Sequence, residues 1–98
     1  MKNLNETCWH IYLIRTDKGS LYTGITTNVK RRFNEHHAQG PKCAKSLRGK
    51  GPLKLELQQL VGEKTDALKL EHKIKQLTKE EKEFLIKHKN MLFMPGFL

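Results

Sequence analysis

The sequence has little cysteine and no long apolar segment. Two cysteines, Cys8 and Cys43, occur in 98 residues. They are too few for a disulfide framework, so we interpret both as reduced cytosolic thiols. No apolar run is long enough to cross a bilayer, and the N-terminal residues MKNLNETC lack the apolar centre of a secretion signal. The sequence therefore predicts a cytoplasmic protein.

Acidic residues are also scarce. Ten aspartates and glutamates face nineteen lysines and arginines, which leaves a formal charge of +9. So large a charge on a chain of this length predicts attraction to polyanions, nucleic acid first. Since 98 residues leave no room for a second domain, we expect one domain with its core at about 8–88 and an apolar tail at 91–98.

The most informative stretch is residues 9–36, WHIYLIRTDKGSLYTGITTNVKRRFNEH. It predicts a strand at Trp9–Arg15, a glycine-containing turn, a second strand at 21–25 and a helix at Val29–His37. Thr26, Thr27 or Asn28 is suited to cap that helix.

The predicted hairpin sorts its side chains between two faces, because successive residues of a strand point to opposite sides. Tyr12 and Tyr22 share one face. Four apolar residues suited to a core share the other: Ile11, Leu13, Leu21 and Ile25. Arg32 and His36 lie four residues apart, on one side of the helix. We therefore expect two phenols, a guanidinium and an imidazole to meet where the hairpin joins the helix.

The order of these residues resembles the GIY-YIG nuclease module, and most of all its small bacterial members of about this length. The resemblance extends over about 9–86 and is carried by His10-Ile11-Tyr12, Tyr22-Thr23-Gly24, Arg32 and His36. Two positions depart from the family pattern. His10 stands where glycine is usual, and Thr23 replaces isoleucine. Neither position supplies a catalytic group in the family.

The rest of the sequence predicts a third strand and two more helices. Residues 52–61 alternate apolar and polar, which predicts a strand with its leucines on the core face. A helix is expected from Thr65 or Asp66 to about residue 77, with a buried stripe. Thr78 and Glu81 form a capping box that begins the last helix. The stripe consists of Ala67, Leu70, Ile74 and Leu77.

Glu71 lies on that apolar stripe, where a carboxylate is costly unless it is paired or bound to a metal. An ion pair with Lys75, four residues on, is one explanation. The resemblance implies the other, because a helix-borne glutamate at this point of the family's fold binds the catalytic divalent metal.

Residues 40–51, GPKCAKSLRGKG, combine three glycines and a proline with four basic residues and no acidic one. This composition predicts a flexible loop. Its basic side chains are suited to contact a phosphate backbone, although charged loops are also common as plain solvated surface. The basic residues are Lys42, Lys45, Arg48 and Lys50.

The resemblance implies an α+β fold in which helices flank a small, mainly antiparallel three-stranded sheet, in the order β-β-α-β-α-α. It implies a nuclease that hydrolyses phosphodiester bonds with Mg²⁺ or Mn²⁺, in DNA more than RNA. Tyr12 would act as general base, assisted by Tyr22, and His36 would hydrogen-bond Tyr12 or the phosphate. Arg32 would bind the phosphate and Glu71 the metal. Repair, recombination and RNA turnover stay open as roles.

Three alternatives accompany this interpretation. The scaffold and its charge would also serve a nucleic-acid-binding module without catalysis. The apolar tail either folds back on the core or forms a surface for self-association. A zinc site is the third alternative, but the spacing of its candidate ligands matches no standard zinc pattern. Those candidates are Cys8, His10, His36, His37, Cys43 and His72.

Overall fold

The computed structural model describes residues 8–89, which form a three-stranded antiparallel sheet with three α-helices. The strands are β1 (Trp9–Arg15), β2 (Leu21–Thr26) and β3 (Lys54–Gly62), and the helices are α1 (Val29–His37), α2 (Lys64–Lys75) and α3 (Lys79–His88). The sheet order β2-β1-β3 makes β1 the central strand. The predicted α+β fold is confirmed, whereas the apolar tail lies outside the described residues.

Each face of the sheet carries its own apolar cluster. Ile11 and Leu13 of β1 are fully buried against α2 and α3, through residues such as Leu70 and Leu85. Tyr12 and Ile14 point to the opposite face, which is covered by α1 and the chain that follows it. The alternation predicted for the hairpin is therefore observed, and it sends Tyr12 to the side of α1.

The third strand does not keep its leucines on one face, so this expectation was wrong. Leu57 lies opposite Leu13, but the next residue of β1 lies opposite Leu55, and the ladder skips Glu56. A bulge of this kind adds one residue to the strand and breaks the alternation. Leu57 consequently packs with Leu13 while Leu55 packs on the Tyr12 face, and Leu60 is 58% exposed.

The ends of α1 and α3 follow the sequence signals. The Asn28 side chain accepts a hydrogen bond from the Arg31 backbone N–H at 3.0 Å, so Asn28 is the cap of α1. At α3, the Thr78 hydroxyl accepts from the Glu81 N–H and the Glu81 carboxylate accepts from the Thr78 N–H. The predicted capping box is confirmed.

The start of α2 differs from the expectation. Its first residue is Lys64 and its cap is Glu63, which makes no capping hydrogen bond through its side chain, so Thr65 and Asp66 lie inside the first turn. The chain turns at Gly62, whose φ of +121° favours glycine, and enters the helix directly. The buried residues of α2 are Ala67, Leu70 and Ile74, three of the four predicted. The fourth, Leu77, lies beyond the end of the helix at Lys75 and is partly buried. No helix within 8–89 is long and apolar enough to span a bilayer.

An ionic network ties the central strand to β3 and α3. The Arg15 Nε donates to Glu56 at 2.6 Å, and its two terminal nitrogens donate to the two Glu83 oxygens at 2.8 and 2.6 Å. Glu56 is 8% exposed and also lies 3.4 Å from the Lys54 ammonium. The bidentate contact is the one with Glu83, whereas the buried Glu56 carboxylate is paired with both Arg15 and Lys54, and this pairing offsets the cost of its burial.

Candidate active site

Tyr12 and His36 are hydrogen-bonded inside the domain. The Tyr12 Oη lies 3.0 Å from the His36 Nε2, and the two residues are 1% and 0% exposed. Tyr12 projects from the central strand and His36 from the last turn of α1. The fold therefore joins two polar groups that lie 24 residues apart in the chain.

Tyr22 completes an aromatic cluster on the same face. Its ring meets the His36 ring edge to face at 5.4 Å between centroids, and lies 6.2 Å from the Tyr12 ring. In the strand register Tyr22 lies opposite Ile14, whereas Tyr12 lies opposite Gly24. The two tyrosines are thus diagonal neighbours, and Tyr22 is the more exposed of the two.

Gly24 makes the room that Tyr12 needs. A β-carbon built on Gly24 would overlap the Tyr12 hydroxyl and would lie 2.5 Å from the ring carbon that carries it. Real β-carbons do not approach other atoms so closely, so any larger residue would push the phenol from its place. The glycine of the second triplet is therefore explained by the position of the Tyr12 hydroxyl.

The direction of the Tyr12–His36 hydrogen bond follows from a third group. The Ala44 backbone N–H donates to the His36 Nδ1 at 3.2 Å, so Nδ1 is an acceptor and carries no hydrogen. In a neutral imidazole the hydrogen then lies on Nε2. His36 consequently donates to the Tyr12 oxygen, and the hydroxyl hydrogen of Tyr12 is not used in the bond between them.

Burial sets the charge state of both groups. Desolvation, reinforced by the nearby charge of Arg32, lowers the pKa of His36 to about 4, so the imidazole is neutral at pH 7. Desolvation, and then the neighbouring Tyr22 phenol, raises the pKa of Tyr12. The positive charge of Arg32 opposes that rise in the pKa of Tyr12 only in part. At pH 7 the pair is therefore a neutral phenol and a neutral imidazole.

Arg32 is held at the edge of this cluster by α1 and the following loop. Its Nη1 donates to the Glu35 carboxylate at 2.9 Å and to the Lys42 carbonyl at 2.6 Å. Burial acts to lower the pKa of Arg32, but the hydrogen bond and charge of Glu35, with Tyr12, outweigh it and raise that pKa. The guanidinium is thus positively charged and partly exposed, and its bonds to Glu35 and Lys42 both come from Nη1, so the N–H groups of Nε and Nη2 are not used in them.

The chain between α1 and β3 is attached to the domain, contrary to the flexible loop expected. It contains a 3₁₀ turn at Lys45–Leu47, and Cys43 and Leu47 are buried on the Tyr12 face. At its far end the Asp17 N–H of the hairpin donates to the Lys50 carbonyl at 2.9 Å. The composition indicated a loop correctly but not the contacts that hold it. Its basic side chains are all exposed: Lys42, Lys45, Arg48 and Lys50.

Glu71 occupies the margin of the buried side of α2. It follows the buried Leu70, its side chain is 19% exposed, and its carboxylate lies 3.4 Å from the Lys75 ammonium. The ion pair considered from the sequence is therefore present. Helix α2 packs against β1 and β2, the strands that carry Tyr12 and Tyr22, but its buried Leu70 and Ile74 belong to the cluster on the opposite face of the sheet from Tyr12. Glu71 makes no hydrogen bond or ion pair with the other four candidate site residues, which all lie within 8–89.

A metal site of several protein ligands is not found in the described part of the chain. No three side chains of histidine, cysteine, aspartate or glutamate within 8–89 group as they would around an ion. A partly buried carboxylate such as Glu71 still fits Mg²⁺ chemistry, because Mg²⁺ is commonly held by one or two carboxylates, waters and substrate phosphates.

Comparison with known proteins identifies the class to which this fold and site belong. The model of the GIY-YIG catalytic domain matches residues 8–84, so the chain belongs to the GIY-YIG family. The resemblance drawn from the two tyrosine triplets is thereby confirmed. Membership of a nuclease family makes nucleic acid the substrate class that the domain suggests.

Within this family the chain is similar to UPF0213 proteins. It is 58% identical over 79 residues to one from Klebsiella pneumoniae, covering 81% of this chain and 73% of that protein. It is 47% identical over 95 residues to one from Yersinia pestis, covering 97% and 98%. The solution NMR structure of a UPF0213 protein from Bacillus halodurans matches with a TM-score of 0.53 at 32% identity, covering 91% of this chain and 88% of that one.

Two contributors to the site were not identified from the sequence. Ala44 acts through its backbone N–H, which any residue except proline possesses, so no side-chain pattern marks it. Gln39 follows the C-cap of α1, Ala38, and holds the 40–50 loop through its amide. A polar residue at the end of a helix is ordinary, and only the structure distinguishes this one.

Proposed function

We propose that this protein is a divalent-metal-dependent endonuclease that hydrolyses phosphodiester bonds, in DNA more readily than in RNA. The observation that carries the proposal is the buried Tyr12 hydroxyl, whose oxygen accepts a hydrogen bond from His36, an arrangement that favours the phenolate a general base requires. A tyrosine with only a packing role has no need of a neutral histidine locked in one tautomer. Action in the cytoplasm, expected from the sequence, is part of the proposal.

Tyr12 acts on the proton of the attacking water. The phenol first loses its own proton to solvent, and the phenolate then accepts a proton from the water as the water oxygen bonds to phosphorus and the ester oxygen leaves. The His36 Nε2–H, by donating to the phenol oxygen, favours the ionised form. His36 itself takes no proton from Tyr12 in this arrangement, because its Nδ1 lone pair already accepts from Ala44. Tyr22, which packs on both rings, assists by orienting the water.

Arg32 and the basic loop hold the substrate. The guanidinium has N–H groups beyond those bonded to Glu35 and Lys42, and its planar fork matches two phosphate oxygens. The direct bond between Arg32 and the Lys42 carbonyl connects the reacting phosphate to the loop that contacts neighbouring phosphates. Those contacts come from Lys42, Lys45, Arg48 and Lys50.

Glu71 would hold the Mg²⁺ or Mn²⁺ ion. When bound, the ion supplies positive charge that neutralises the phosphoryl oxygens, stabilises the leaving oxygen and favours the ionised form of Tyr12. In the resting domain burial keeps Tyr12 in its neutral phenol form. Base chemistry at pH 7 therefore requires added positive charge, which is why a metal forms part of the proposal.

Cleavage of supercoiled plasmid tests this function. The protein is incubated with plasmid and Mg²⁺ or Mn²⁺, with and without chelator, and the nicked form is quantified. We expect nicking that chelator abolishes and that Glu71→Gln and Tyr12→Phe each reduce by at least about a hundredfold. Binding of a short DNA duplex at low salt is measured in parallel and should persist in both variants.

A matched variant separates the metal role of Glu71 from its ion pair. Lys75→Gln breaks the same 3.4 Å contact but leaves the carboxylate in place. If Glu71 serves only the ion pair, Lys75→Gln and Glu71→Gln will cut equally well. DNA binding without cleavage by the folded parent, on plasmid and on branched and single-stranded substrates, would favour the non-catalytic binding module.

A further inference from the structure

Gln39 adopts a backbone conformation that its residue type disfavours. Its φ is +60°, in the left-handed region that glycine enters without penalty and that a side chain with a β-carbon opposes. The position directly follows Ala38, the C-cap of α1, where glycine or asparagine commonly ends a helix. A glutamine there needs a compensating gain from its side chain.

The Gln39 amide provides that gain through bonds on both of its ends. Its Nε2 donates to the His36 carbonyl at 2.9 Å and to the Leu47 carbonyl at 3.2 Å. Its Oε1 accepts from the Gly49 N–H at 2.7 Å. The side chain thus joins the last turn of α1 both to the 3₁₀ turn and to Gly49, two residues beyond it.

The orientation of this amide is fixed by its partners. Two carbonyl oxygens require a donor and a backbone N–H requires an acceptor, so exchanging the amide nitrogen and oxygen would set like groups against each other. The bonds are therefore specific for glutamine. A glutamate of the same size would accept from Gly49 but would place its second oxygen against two carbonyl oxygens.

The loop held by Gln39 delivers the hydrogen bond that fixes the tautomer of His36. Ala44 lies between the ends of that loop, and its carbonyl accepts from the Leu47 N–H at 3.0 Å. Its own N–H donates to the His36 Nδ1. His36 is consequently contacted at two points. The Gln39 amide donates to its main-chain carbonyl, and the Ala44 N–H of the loop donates to its ring.

We propose that Gln39 is a positioning residue for the Tyr12–His36 pair. By fastening the 40–50 loop to the end of α1, Gln39 keeps the Ala44 N–H on the His36 Nδ1 and selects the tautomer whose Nε2–H donates to Tyr12. The tautomer follows from the contacts alone, whereas its consequence for cleavage rests on the proposed function. The loop that carries the phosphate-binding residues therefore also determines which nitrogen of His36 carries the hydrogen that is donated to Tyr12.

Nitrogen-15 NMR of the His36 ring tests the proposal directly. In the parent protein Nδ1 should resonate as an unprotonated nitrogen and Nε2 as a protonated one. In Gln39→Glu we expect a mixture of tautomers and about tenfold faster hydrogen exchange of the Ala44 amide. Gln76→Glu makes the same chemical change at an exposed position at the end of α2 and should leave both signals unchanged.

Gln39→Gly supplies a second, independent variant that folds if the charged one does not. It removes the side-chain bonds but relieves the left-handed backbone, so the domain should remain folded while the tautomer becomes mixed. An unchanged His36 tautomer in this variant overturns the proposal, even if the loop exchanges faster, because Gln39 would then stabilise only the loop.

Cleavage gives the functional half of the test. Gln39→Gly should lower kcat about tenfold with a smaller change in KM. The substitution disturbs the His36 N–H that donates to Tyr12 more than it disturbs the exposed basic side chains. A raised KM with an unchanged kcat would assign Gln39 to substrate binding instead. If the parent cuts no substrate, the proposed function fails, and the NMR result still decides whether Gln39 positions His36.

Discussion

The Tyr12 hydroxyl lies over Gly24 of the neighbouring strand, in the space that a β-carbon of that residue would fill. The two residues are direct partners in the β1–β2 ladder. The backbone of Gly24 is not in the left-handed region that glycine alone adopts easily. This glycine is therefore required because a phenol occupies its side-chain space, and the requirement connects the second triplet to the first.

Gly24→Ala should consequently displace Tyr12. Forcing a methyl group into this contact should lower the free energy of unfolding by about 1–3 kcal/mol and remove most cleavage activity. Urea denaturation and plasmid nicking measure the two effects. Gly40→Ala is the matched control, because a β-carbon there meets no atom within 4 Å. Equal behaviour of the two variants would contradict the steric explanation.

Thr23, where the family usually has isoleucine, carries a buried hydroxyl that finds no hydrogen-bond partner within 8–89. Replacing the hydroxyl with a methyl group of similar size removes its desolvation cost. Thr23→Val should therefore raise the free energy of unfolding by about 1 kcal/mol. Chemical denaturation at pH 7 measures the change.

Thr26→Val, on the same strand, should have the opposite sign. The Thr26 hydroxyl is also buried, but it accepts from the Asn28 N–H at 3.2 Å at the start of α1. Its loss should cost about 1 kcal/mol. If both valine variants shifted stability in the same direction, the missing partner at Thr23 would not explain the result.

The features predictable from the sequence are those set by local chemistry. Alternation in a short hairpin placed Tyr12 and Tyr22 on one face, and side-chain oxygens marked the caps at Asn28 and Thr78. Each of these signals lies within a few residues of its effect. The family resemblance depends on the same segment, so the fold and the aromatic cluster could be anticipated together.

The remaining features depend on contacts between distant segments. Nothing near Glu56 indicates the bulge, nor that its carboxylate pairs with Arg15, 41 residues earlier in the chain. Glycine, proline and lysine at 40–51 predicted a mobile loop, yet Gln39 and the buried Leu47 fasten it. The contacts at Glu56 and in the loop both involve partners that meet only in the folded state, and composition does not encode them.

The Arg15 network should make the domain sensitive to acid. Burial alone would raise the pKa of Glu56, but hydrogen bonding and charge from Arg15 outweigh it and lower that pKa. A carboxyl whose pKa is lower in the folded than in the unfolded state contributes stability above its usual value of 4.5, and this contribution is lost as the pH falls further.

Glu56→Gln should therefore cost about 1–3 kcal/mol at pH 7 and much less near pH 3. Urea denaturation at both pH values measures this difference. Glu80→Gln, on the exposed first turn of α3, is the control and should change stability by only a few tenths of a kcal/mol. A pH-independent cost at Glu56 would mean that packing, and not the ion pair, is lost.

His36 should make stability depend on pH at milder acidity. Its pKa falls from the usual 6.5 to about 4 in the folded protein, because the ring is buried and lies near Arg32. Between these values the unfolded chain binds a proton that the folded domain excludes. Stability is therefore complete above pH 6.5 and decreases as the pH falls, with a slope approaching about 1.4 kcal/mol per pH unit.

The slope between pH 6.5 and 5 lies above the range in which the glutamates of the Arg15 network titrate, and a His36 variant shows how much of it belongs to this one of the five histidines. His36→Gln should remove most of the slope, although the variant is less stable than the parent at pH 7. The parent and the variant should thus converge in stability as the pH is lowered. If the stability curves of the parent and the variant were parallel, His36 would accept its proton in the folded state as readily as in the unfolded chain. The assignment of a neutral imidazole that donates to Tyr12 would then be wrong.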